Sequence, residues 1–432
     1  MTGIDVAAAQ DRIRKCVHCG FCTATCPTYL ITGDELDSPR GRIWLMKDML
    51  ANPAAPSSPR AVQHLDRCLT CLSCTTTCPS GVDYRHMLDA ARAHIASTHR
   101  RPWPERLLRA ALPAVLTRRR LLRVLLRAGR LARPLAGLLP ARLAALLVQV
   151  PDAVPAIGLA ERRQPVQPDR AIGRVILHQG CVQPVLRPAI DDAALRLLAR
   201  HGIEVVITRQ STCCGALDHH LGHEAPAIAH ARANIAAWEA AGPVDAIIIT
   251  ASGCGTMIKD YAALFAGDPA MAARAAAIAA KARDISEFLA TLPPLPSRLA
   301  PGTPIAWHAA CSLQHGQSIT AQPRRLLAEA GFDVRVPAEA HICCGSAGSY
   351  AILQPELAGA LRARKQAALV ATGARIVASS NIGCITHLAR SDLQIVHLVE
   401  LLDWASGGPA PAGIMPPTVA PPPATGPAPL DH

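Results

Sequence analysis

The sequence is poor in aromatic residues and has no long apolar run. Phe, Tyr and Trp make up 3% of the 432 residues, so we expect Ala, Leu, Val and Ile to fill most of the core. No stretch of 18 or more apolar residues is free of charges, and no transmembrane helix is predicted. The segment Met1 to Lys15 carries several charged side chains and no apolar core, so we expect no signal peptide there.

Nucleotide-binding motifs are missing as well. No G-x-G-x-x-G motif follows a predicted strand, and no P-loop motif occurs. No pattern indicates a flavin site or a pocket for a hydroxy acid. Because two-electron chemistry on such substrates depends on an organic cofactor, we do not expect this chain to carry it out alone.

Cysteine, in contrast, is abundant. Sixteen cysteines is a large number for a chain of this length, and their spacing indicates their role. A secreted, disulfide-rich protein would distribute them through a small, loop-rich scaffold. Here they occur in tight runs whose spacing is typical of metal ligands. We therefore expect a reducing, cytoplasmic location in which the thiols stay free to bind metal.

The first eight cysteines form two runs with the same spacing. The first run is Cys16-x-x-Cys19-x-x-Cys22-x-x-x-Cys26-Pro27, and the second run is Cys68-x-x-Cys71-x-x-Cys74-x-x-x-Cys78-Pro79. This spacing is that of bacterial ferredoxins, in which the fourth cysteine of a run binds the other of two [4Fe–4S] clusters. A single C-x-x-C pair would also suit zinc or a redox-active dithiol, but two complete runs favour iron–sulfur clusters.

We assign these eight cysteines to two sets on this basis. The first set consists of Cys16, Cys19, Cys22 and Cys78. The second set consists of Cys26, Cys68, Cys71 and Cys74. Iron–sulfur clusters pass single electrons, so the N-terminal part of the chain is predicted to be an electron carrier. The runs are about forty residues apart, which favours a helical two-cluster domain over a compact ferredoxin.

Positive charge is concentrated in one segment. Between Arg100 and Val150 the sequence has twelve arginines and one glutamate, which gives about +11 of the net charge of +12. The pattern predicts basic amphipathic helices, broken by Pro113, Pro134 and Pro140, of a kind that lies on anionic membrane surfaces. Helices packed on a sister subunit, with their arginines in solvent, are the alternative. No recognition motif supports nucleic-acid binding.

The second half of the chain contains an internal repeat. Each of four cysteines recurs 130 residues later, so that Cys181, Cys213, Cys214 and Cys254 correspond to Cys311, Cys343, Cys344 and Cys384. In both copies predicted strands alternate with helices, which indicates two α/β modules with largely parallel sheets. The predicted strands are 174–178, 203–208 and 245–250 in the first copy and 305–308, 332–336 and 375–379 in the second. The cysteines directly follow predicted strands, and ligands of such sheets bind beyond the carboxyl ends of the strands.

Histidines recur near these cysteines. His178 and His308 occupy matching positions in the two copies and are the best candidates for metal ligation or proton transfer. The further candidates are His219, His220, His315, His341 and His387. A histidine near a strand end is nevertheless more often a structural residue than a ligand.

The repeated Cys-Cys-Gly pattern resembles a known family. It is similar to the paired CCG domains of heterodisulfide reductase-type proteins and, above all, of the iron–sulfur subunits of glycolate oxidase (glycolate dehydrogenase). The resemblance covers roughly residues 10 to 400. It is carried by Cys16 to Tyr29, Gly33 to Leu36, Pro39 to Ile43, Thr250 to Gly255 and Cys343 to Gly348.

The resemblance implies a role, partners and a location. In such a complex an FAD-binding partner subunit oxidises glycolate to glyoxylate. This chain would then take electrons from the reduced flavin and relay them toward a quinone or another acceptor. Together with the basic segment, this implies a peripheral position on the inner face of the cytoplasmic membrane.

The CCG modules depart from the fuller family pattern. That pattern ends in C-x-x-C, but its first cysteine is replaced here by Ala251 and by Asn381. Four thiols therefore remain in each module, where the full pattern has five for a noncubane cluster. A conventional four-iron cluster, a redox-active pair at Cys213 and Cys214, and no metal at all remain open. We expect one or more of these eight cysteines to bind metal, and buried thiols retained for packing are the alternative.

The predicted fold class is an α+β multidomain protein in which an α-helical two-cluster domain is followed by two repeated α/β modules. The predicted divisions are a two-cluster domain at 1–98, a basic helical segment and linker at 99–168, a first CCG module at 169–295, a second CCG module at 296–405 and a disordered Pro-rich tail at 406–432.

Several functions are consistent with this pattern of cysteines. The first is the electron-transfer subunit of a glycolate (2-hydroxy-acid) dehydrogenase. Related lactate or glycerol 3-phosphate dehydrogenase subunits, and a thiol/disulfide reductase subunit of the heterodisulfide reductase type, are the alternatives. The missing fifth cysteines count against the reductase. An iron–sulfur regulator that binds nucleic acid through the arginines has no motif to support it.

Overall fold

The structure is a computed structural model that describes residues 6–138, 150–151, 153–162, 171–390 and 392–414. An α-helical N-terminal module is followed by a basic helical segment and by two α/β modules, each with a parallel sheet. The predicted fold class is therefore confirmed. None of the described helices is both long and apolar enough to cross a bilayer.

The N-terminal module consists of short helices that surround the two cysteine runs. They are α1 Val6–Arg14, α2 Pro27–Thr32, α3 Pro39–Ala51, α4 Pro59–Asp66, α5 Ser73–Thr77 and α6 Tyr84–Thr98. Their starts follow from local sequence: Ser38 and Ser58 accept hydrogen bonds from backbone N–H groups of α3 and α4, and a proline stands first in each helix. The apolar faces of α1, α3, α4 and α6 form one core that also includes Cys68 and Cys74.

The basic segment forms the helices α7 Trp103–Leu116 and α8 Arg119–Ala132, and a short helix α9 follows at Leu159–Arg162. Pro113 was predicted to break the first of these, but it lies inside α7. The side chains of Leu112 and Pro113 are buried there, and this packing outweighs the missing backbone hydrogen bond. The predicted break at Pro140 lies outside the described residues.

Both α/β modules have the same four-stranded topology. The first sheet has the order β2-β1-β3-β4 and the second has the order β6-β5-β7-β8, with every pairing parallel. The strands are β1 Gly173–His178, β2 Ile203–Val206, β3 Ala246–Ile249, β4 Ala282–Asp284, β5 Thr303–His308, β6 Phe332–Arg335, β7 Ile376–Ser379 and β8 Gln394–His397. Six of these coincide with predicted strands, and β4 and β8 were not predicted.

Helices connect the strands and cover the sheets. In the first module they are α10 Gln183–Leu186, α11 Pro188–Arg200, α12 Ala216–His220, α13 Glu224–Ala240, α14 Ser252–Ile258, α15 Pro269–Lys281 and α16 Ile285–Leu289. In the second module they are α17 Cys311–Gln314, α18 Gln322–Glu329, α19 Tyr350–Leu353, α20 Pro355–Val370, α21 Ile382–His387 and α22 Leu398–Ala405.

The two modules share one hydrophobic core, to which both sheets contribute. An ion-pair contact reinforces it: Asp403 of α22 is buried and receives hydrogen bonds from Arg196 and Arg200 of α11. The disordered tail was predicted to begin at residue 406. Residues 406–414 are nevertheless described, and Ala410 and Ile414 pack against the shared core, while 415–432 lie outside the described residues.

A histidine joins the N-terminal module to the first α/β module. His86 of α6 contacts Asp83 through Nδ1 at 2.8 Å and Asp260 through Nε2 at 3.0 Å. The hydrogen bonds to Asp260 and Asp83 raise the pKa of His86 to about 10. Since the raised pKa belongs to the folded state, the contact stabilises the fold fully below about pH 6.5, the pKa of an unperturbed histidine. That stabilisation is lost as the pH rises through about 10.

We predict that H86Q lowers the free energy of unfolding by about 1 kcal/mol at pH 6, the value expected of a partly exposed ion pair. The difference from the wild type should close as the pH approaches 10. Denaturant unfolding at pH 6, 8 and 10 measures it. D260N is the matched control, because it should remove most of the same pH dependence while His86 is retained. A difference that does not change with pH would contradict the prediction.

Candidate metal centres

The two cysteine runs adopt the same backbone conformation. They are offset by 52 residues, and positive φ angles occur at matching positions: 54° at His18 and 53° at Thr70, 86° at Gly20 and 61° at Leu72. These residues flank the second cysteine of each run. Left-handed conformations are unfavourable for residues other than glycine, by an order of about 1 kcal/mol each. Such strain at equivalent positions indicates that the loop conformation serves a function.

A hydrogen bond between equivalent residues joins the two runs. Thr25 and Thr77 are also 52 residues apart, and their Oγ1 atoms are 3.1 Å apart. A contact between equivalent residues relates the runs by a local two-fold arrangement. Because Cys26 and Cys78 directly follow these threonines, each run's fourth cysteine lies beside the other run.

The first set lies at the surface of the N-terminal module. Its four cysteines line one cavity, which Cys74 of the second run also reaches. Cys19 is exposed, and the neighbouring Val17 and Phe21 are 69% and 63% exposed. Burial raises the pKa of the Cys22 thiol to about 11. Bound metal overcomes such a shift, because it replaces the thiol proton with a positive charge.

The second set is more deeply placed. Cys26, Cys68 and Cys74 are buried, whereas Cys71 is intermediate. Burial, followed by the nearby Cys68 and Cys26, raises the pKa of the Cys74 thiol well above its usual value. Burial also raises the pKa of Cys71, to which Cys311, Cys74 and Cys26 contribute. Cys26 of the first run therefore lies close enough to Cys71 and Cys74 of the second run to influence their pKa values.

Donor groups face the sulfur atoms of the second set. The hydroxyl of Tyr84 lies 3.7 Å from Cys68 Sγ, and Nη1 of Arg42 lies 3.9 Å from Cys26 Sγ. Arg42 is itself buried and donates to the carbonyl oxygen of His64 at 2.7 Å and to Asp37 at 3.3 Å. Hydrogen bonds and positive charge near the sulfurs are the usual means by which a protein tunes a cluster.

The buried network around Arg42 was not predicted from residue spacing. Asp37 accepts hydrogen bonds from Arg42 and Arg67 and contacts His64 Nδ1 at 2.9 Å. It joins helices α3 and α4 within the segment between the two runs. The segment Pro39 to Ile43, through which the sequence resembles its family, was the only signal for this network.

In the α/β modules the cysteines lie beyond the carboxyl ends of the strands, as predicted. Sulfur atoms approach closely in both: Cys181 and Cys213 are 3.5 Å apart, and so are Cys344 and Cys384. The glycine of each Cys-Cys-Gly motif has a positive φ, 87° at Gly215 and 90° at Gly345. A Cβ atom at Gly345 would lie 2.7 Å from a backbone oxygen of α20, so only glycine fits this turn.

The thiols of the first module influence one another. A hydrogen bond with Cys214, followed by the nearby His178, lowers the pKa of the Cys254 thiol to about 6. A hydrogen bond to Cys213, together with burial, raises the pKa of Cys181. His178 is held at the end of β1 by a 3.2 Å contact between its Nδ1 and Ser211 Oγ.

The second module has the same arrangement with different neighbours. Burial, followed by the positive charge of Lys365, lowers the pKa of His308 to about 3, so this imidazole is neutral. Asn381, which stands where the full family pattern has a cysteine, donates from Nδ2 to Cys384 Sγ at 3.5 Å. Lys365 is buried and donates to the backbone oxygen of Glu339 at 2.7 Å.

Four of the five other candidate histidines have structural partners, and His341 takes part through its backbone oxygen. His219 Nε2 lies 3.2 Å from the buried Asp89 of α6, and His220 lies 3.6 Å from the same carboxylate. His315 connects Thr76 Oγ1, at 2.8 Å, to the backbone oxygen of His341. In the same way, His387 Nε2 contacts the backbone oxygen of Ala358 at 3.3 Å. These contacts link the first module to α6, the second module to the second cysteine run, and α21 to α20.

The second module lies directly against the second run. Leu69 and Cys71 share a hydrophobic cluster with Cys311, Cys343 and Tyr350. The hydroxyl of Tyr350 donates to the backbone oxygen of Arg67 at 3.0 Å. The second cysteine set and the thiols of the second module are therefore neighbours, as the effect of Cys311 on Cys71 also indicates.

Comparison with known proteins agrees with this architecture. The model of a 4Fe-4S dicluster domain matches residues 12–82, and the model of a cysteine-rich (CCG) domain matches residues 175–259 and 305–389. Helices that carry two sets of four cysteines, followed by two CCG domains, define an iron–sulfur protein of the dicluster class.

Two relatives identify the family within this class to which the chain belongs. The chain is 40% identical to the glycolate oxidase iron-sulfur subunit of Escherichia coli (strain K12), over 92% of this chain and 95% of that protein. It is 32% identical, with the same coverage, to the probable glycolate oxidase iron-sulfur subunit of Bacillus subtilis (strain 168). The chain therefore belongs to the family of glycolate oxidase iron–sulfur subunits.

More distant similarities cover the chain to different extents. Lactate utilization protein A of Exiguobacterium sp. is 27% identical over 53% of this chain and 96% of its own length. A crystal structure of a hypothetical protein from Helicobacter pylori superposes with a TM-score of 0.56 over 86% of this chain and 68% of that one. At 9% identity this likeness concerns the fold alone.

The assignment of ligands to the two sets stays a prediction and is tested with paired variants. We predict that C26A/C68A, which changes two cysteines of the second set, loses one cluster and keeps about half of the iron. C16A/C26A, which changes one cysteine of each set, should lose nearly all of it. Iron and sulfide are counted after anaerobic purification, and circular dichroism controls for folding. Equal iron contents in the two folded variants would refute the exchange of the fourth cysteine.

Proposed function

We propose that this chain is the electron-transfer iron–sulfur subunit of a glycolate (2-hydroxy-acid) dehydrogenase complex. Its electrons come from the reduced flavin of an FAD-binding partner subunit, during oxidation of glycolate to glyoxylate, and pass to a quinone or another acceptor. The observation that carries the proposal is the presence of two sets of four cysteines in one helical module, with Thr25 and Thr77 joining the runs. Membership of the glycolate oxidase subunit family supports the choice of substrate.

The donor set fits two [4Fe–4S] clusters. Four thiols are available for each, from Cys16, Cys19, Cys22 and Cys78 and from Cys26, Cys68, Cys71 and Cys74. When bound, such clusters accept and release one electron at a time. The chain's own contribution is to hold the thiols in strained loops, to exclude water from the second set, and to place Tyr84 and Arg42 against its sulfurs.

The partner subunit has a natural place to dock. Val17 and Phe21 are exposed beside the first set, which is the less shielded from solvent of the two cysteine sets. The second set lies instead against the second α/β module. Electron transfer between subunits requires close approach, so we assign the surface around Val17 and Phe21 to the flavin-containing partner.

Lactate is the alternative substrate. The lactate utilization relatives match about half of this chain. Their similarity favours a related 2-hydroxy acid over an unrelated substrate, and the assay below distinguishes the two acids.

We predict that the complex purified with its native partner reduces an artificial dye when glycolate is supplied. C19A, which removes the exposed ligand of the first set, should reduce this rate at least about tenfold, the scale on which altered metal sites lose activity. Glycolate should still bleach the flavin of the partner subunit, because the first half-reaction does not need this chain. C254A is the matched control and should retain dye reduction.

Two outcomes would change the assignment. If lactate, and not glycolate, reduces the dye, the complex is a lactate dehydrogenase. If neither acid reduces it in the assembled complex, the substrate class is wrong.

We further propose that α8 holds the complex on the anionic inner surface of the cytoplasmic membrane. This helix buries Leu122 and Arg123 against the protein, and its outer face carries exposed apolar side chains as well as arginines. Arg119 donates to the backbone oxygen of Gly180 at 2.7 Å, and Arg123 donates to Glu161 at 2.9 Å. Leu121, Val124, Leu125 and Leu131 are exposed, with Leu131 at 82%.

The charges on this helix suit the same surface. Arg120, Arg127 and Arg130 are exposed on α8. An arginine near an anionic bilayer contributes about 1 kcal/mol, and the apolar side chains enter the boundary between headgroups and acyl chains. Both contributions favour a lipid surface over a neutral protein surface.

We predict that V124S/L131S reduces binding to anionic vesicles about tenfold or more, since each lost apolar side chain is worth roughly 1 kcal/mol or more at the interface. Flotation of the complex with vesicles of anionic and of neutral lipid measures this. V336S/V370S is the matched control, because these valines are similarly exposed on the second α/β module. Unchanged flotation together with loss of the partner subunit would instead place α8 against that subunit.

A further inference from the structure

Helix α3 carries two arginines near its start, and each reaches a different cysteine set. Arg40 lines the cavity of the first set, and its Nη1 packs so close to Gly20 that a Cβ atom there would lie 2.5 Å away. Arg42 reaches the second set, with its Nη1 at 3.9 Å from Cys26 Sγ. The two side chains therefore allow a comparison within one helix.

The charge of Arg40 is compensated and open to solvent. Its side chain is 35% exposed and donates to the carboxylate of Glu35 through Nε at 2.5 Å and through Nη2 at 3.2 Å. Since solvent and a carboxylate both screen this guanidinium, it contributes little net field at the first set.

The charge of Arg42 is enclosed and only partly compensated. Its side chain is 1% exposed, and it donates to two neutral acceptors, the backbone oxygen of His64 at 2.7 Å and Oγ1 of Thr28 at 3.0 Å. The carboxylate of Asp37, at 3.3 Å, also accepts a hydrogen bond from Arg67. Two guanidinium groups and one carboxylate leave one positive charge. The ring of His64, which contacts the same carboxylate, leaves this balance unchanged when neutral and adds to it when protonated.

The guanidinium of Arg42 is close to cysteines of both runs. Burial alone would lower the pKa of Arg42, but nearby acidic groups raise it above its usual value, with Cys68 as the largest contribution and Cys26 also contributing. Arg42 therefore stays charged beside one cysteine of the first run and one of the second. Both cysteines belong to the second set.

A buried charge of this kind changes how readily a cluster accepts an electron. The added electron makes the cluster more negative, and an environment of low dielectric constant disfavours this change. On burial alone, the enclosed second set would hold the cluster that is harder to reduce. A fixed positive charge beside its ligands acts in the opposite direction, and it acts more strongly there than it would in water.

We propose that Arg42 is a positioning residue that makes the second cluster the more readily reduced of the two. An electron that arrives at the exposed first set then moves inward, so that the first cluster loses the electron that the second gains. This inference rests on the two clusters of the function proposed above and adds the order in which they are reduced.

The test is a redox titration of the full chain, purified without oxygen and followed by electron paramagnetic resonance. R42M, which removes the charge, should lower the equilibrium constant for reduction of the second cluster at least tenfold, or about 59 mV for a one-electron couple. R42K keeps the charge and should restore most of this loss. R40M is the matched control on the same helix and should leave both clusters nearly unchanged.

Iron and sulfide contents and circular dichroism show whether each variant is folded and loaded. A smaller shift in folded, loaded R42M would overturn the proposal. A shift in R42K or R40M as large as that in R42M would also overturn it, because the effect would then not come from the buried charge.

The wild type provides a test that does not depend on the folding of variants. A soluble paramagnetic nickel(II) complex should speed the spin relaxation of the exposed first cluster more than that of the enclosed second cluster, which tells the two signals apart. The signal that is shielded from nickel should appear at the higher potential. If the signal affected by nickel appears first, the proposal is wrong, while electron transfer from glycolate to a dye stands unaffected. If neither signal appears, the proposed function fails together with this inference.

Discussion

The N-terminal module is predicted to depend on an exchange of the fourth cysteine between its two runs. A run of three cysteines can surround one side of a cluster, but the fourth lies too far along its own turn. The hydrogen bond between Thr25 and Thr77 places each fourth cysteine beside the other run. Neither set of four is therefore complete unless both runs are folded against each other, which makes cluster binding and folding of this module one event.

The surroundings then give the two sets different properties. The first set is partly open to solvent, beside Val17 and Phe21. The second is enclosed, with the guanidinium of Arg42 and the hydroxyl of Tyr84 directed at its sulfurs. Equal spacing in the sequence thus yields one accessible and one shielded site, and the shielded site adjoins the thiols of the second α/β module. The first set is therefore the one that a partner can approach from solvent, and the second set is the one that faces the interior of the chain.

Much of this could be predicted from the sequence, because thiol spacing and strand periodicity are local. The ferredoxin-type spacing revealed the two runs, the offset of 130 residues revealed the repeat, and six of the eight strands were recognised. The strand β4 was missed because it has only three residues, whereas β8 was missed although it is as long as the predicted strand β2. Pro113 was misread because packing outweighed its local preference. The left-handed backbone conformations of Thr70 and Leu72 could not be predicted from the sequence, because glycine, the usual mark of such a conformation, occurs only at the equivalent Gly20.

The two α/β modules illustrate what spacing cannot show. Their cysteines and histidines correspond one to one, so the sequence treats His178 and His308 as equivalent. In the structure, Ser211 Oγ lies 3.2 Å from Nδ1 of His178, whereas neither ring nitrogen of His308 has a hydrogen-bond partner among the described residues. The surroundings differ further at Asn381 and Lys365, which lie beside the thiols of the second module. Both modules contribute to one shared core, but only the second module lies against the second cysteine set. A duplicated module can in this way acquire different surroundings while its cysteines keep the same positions.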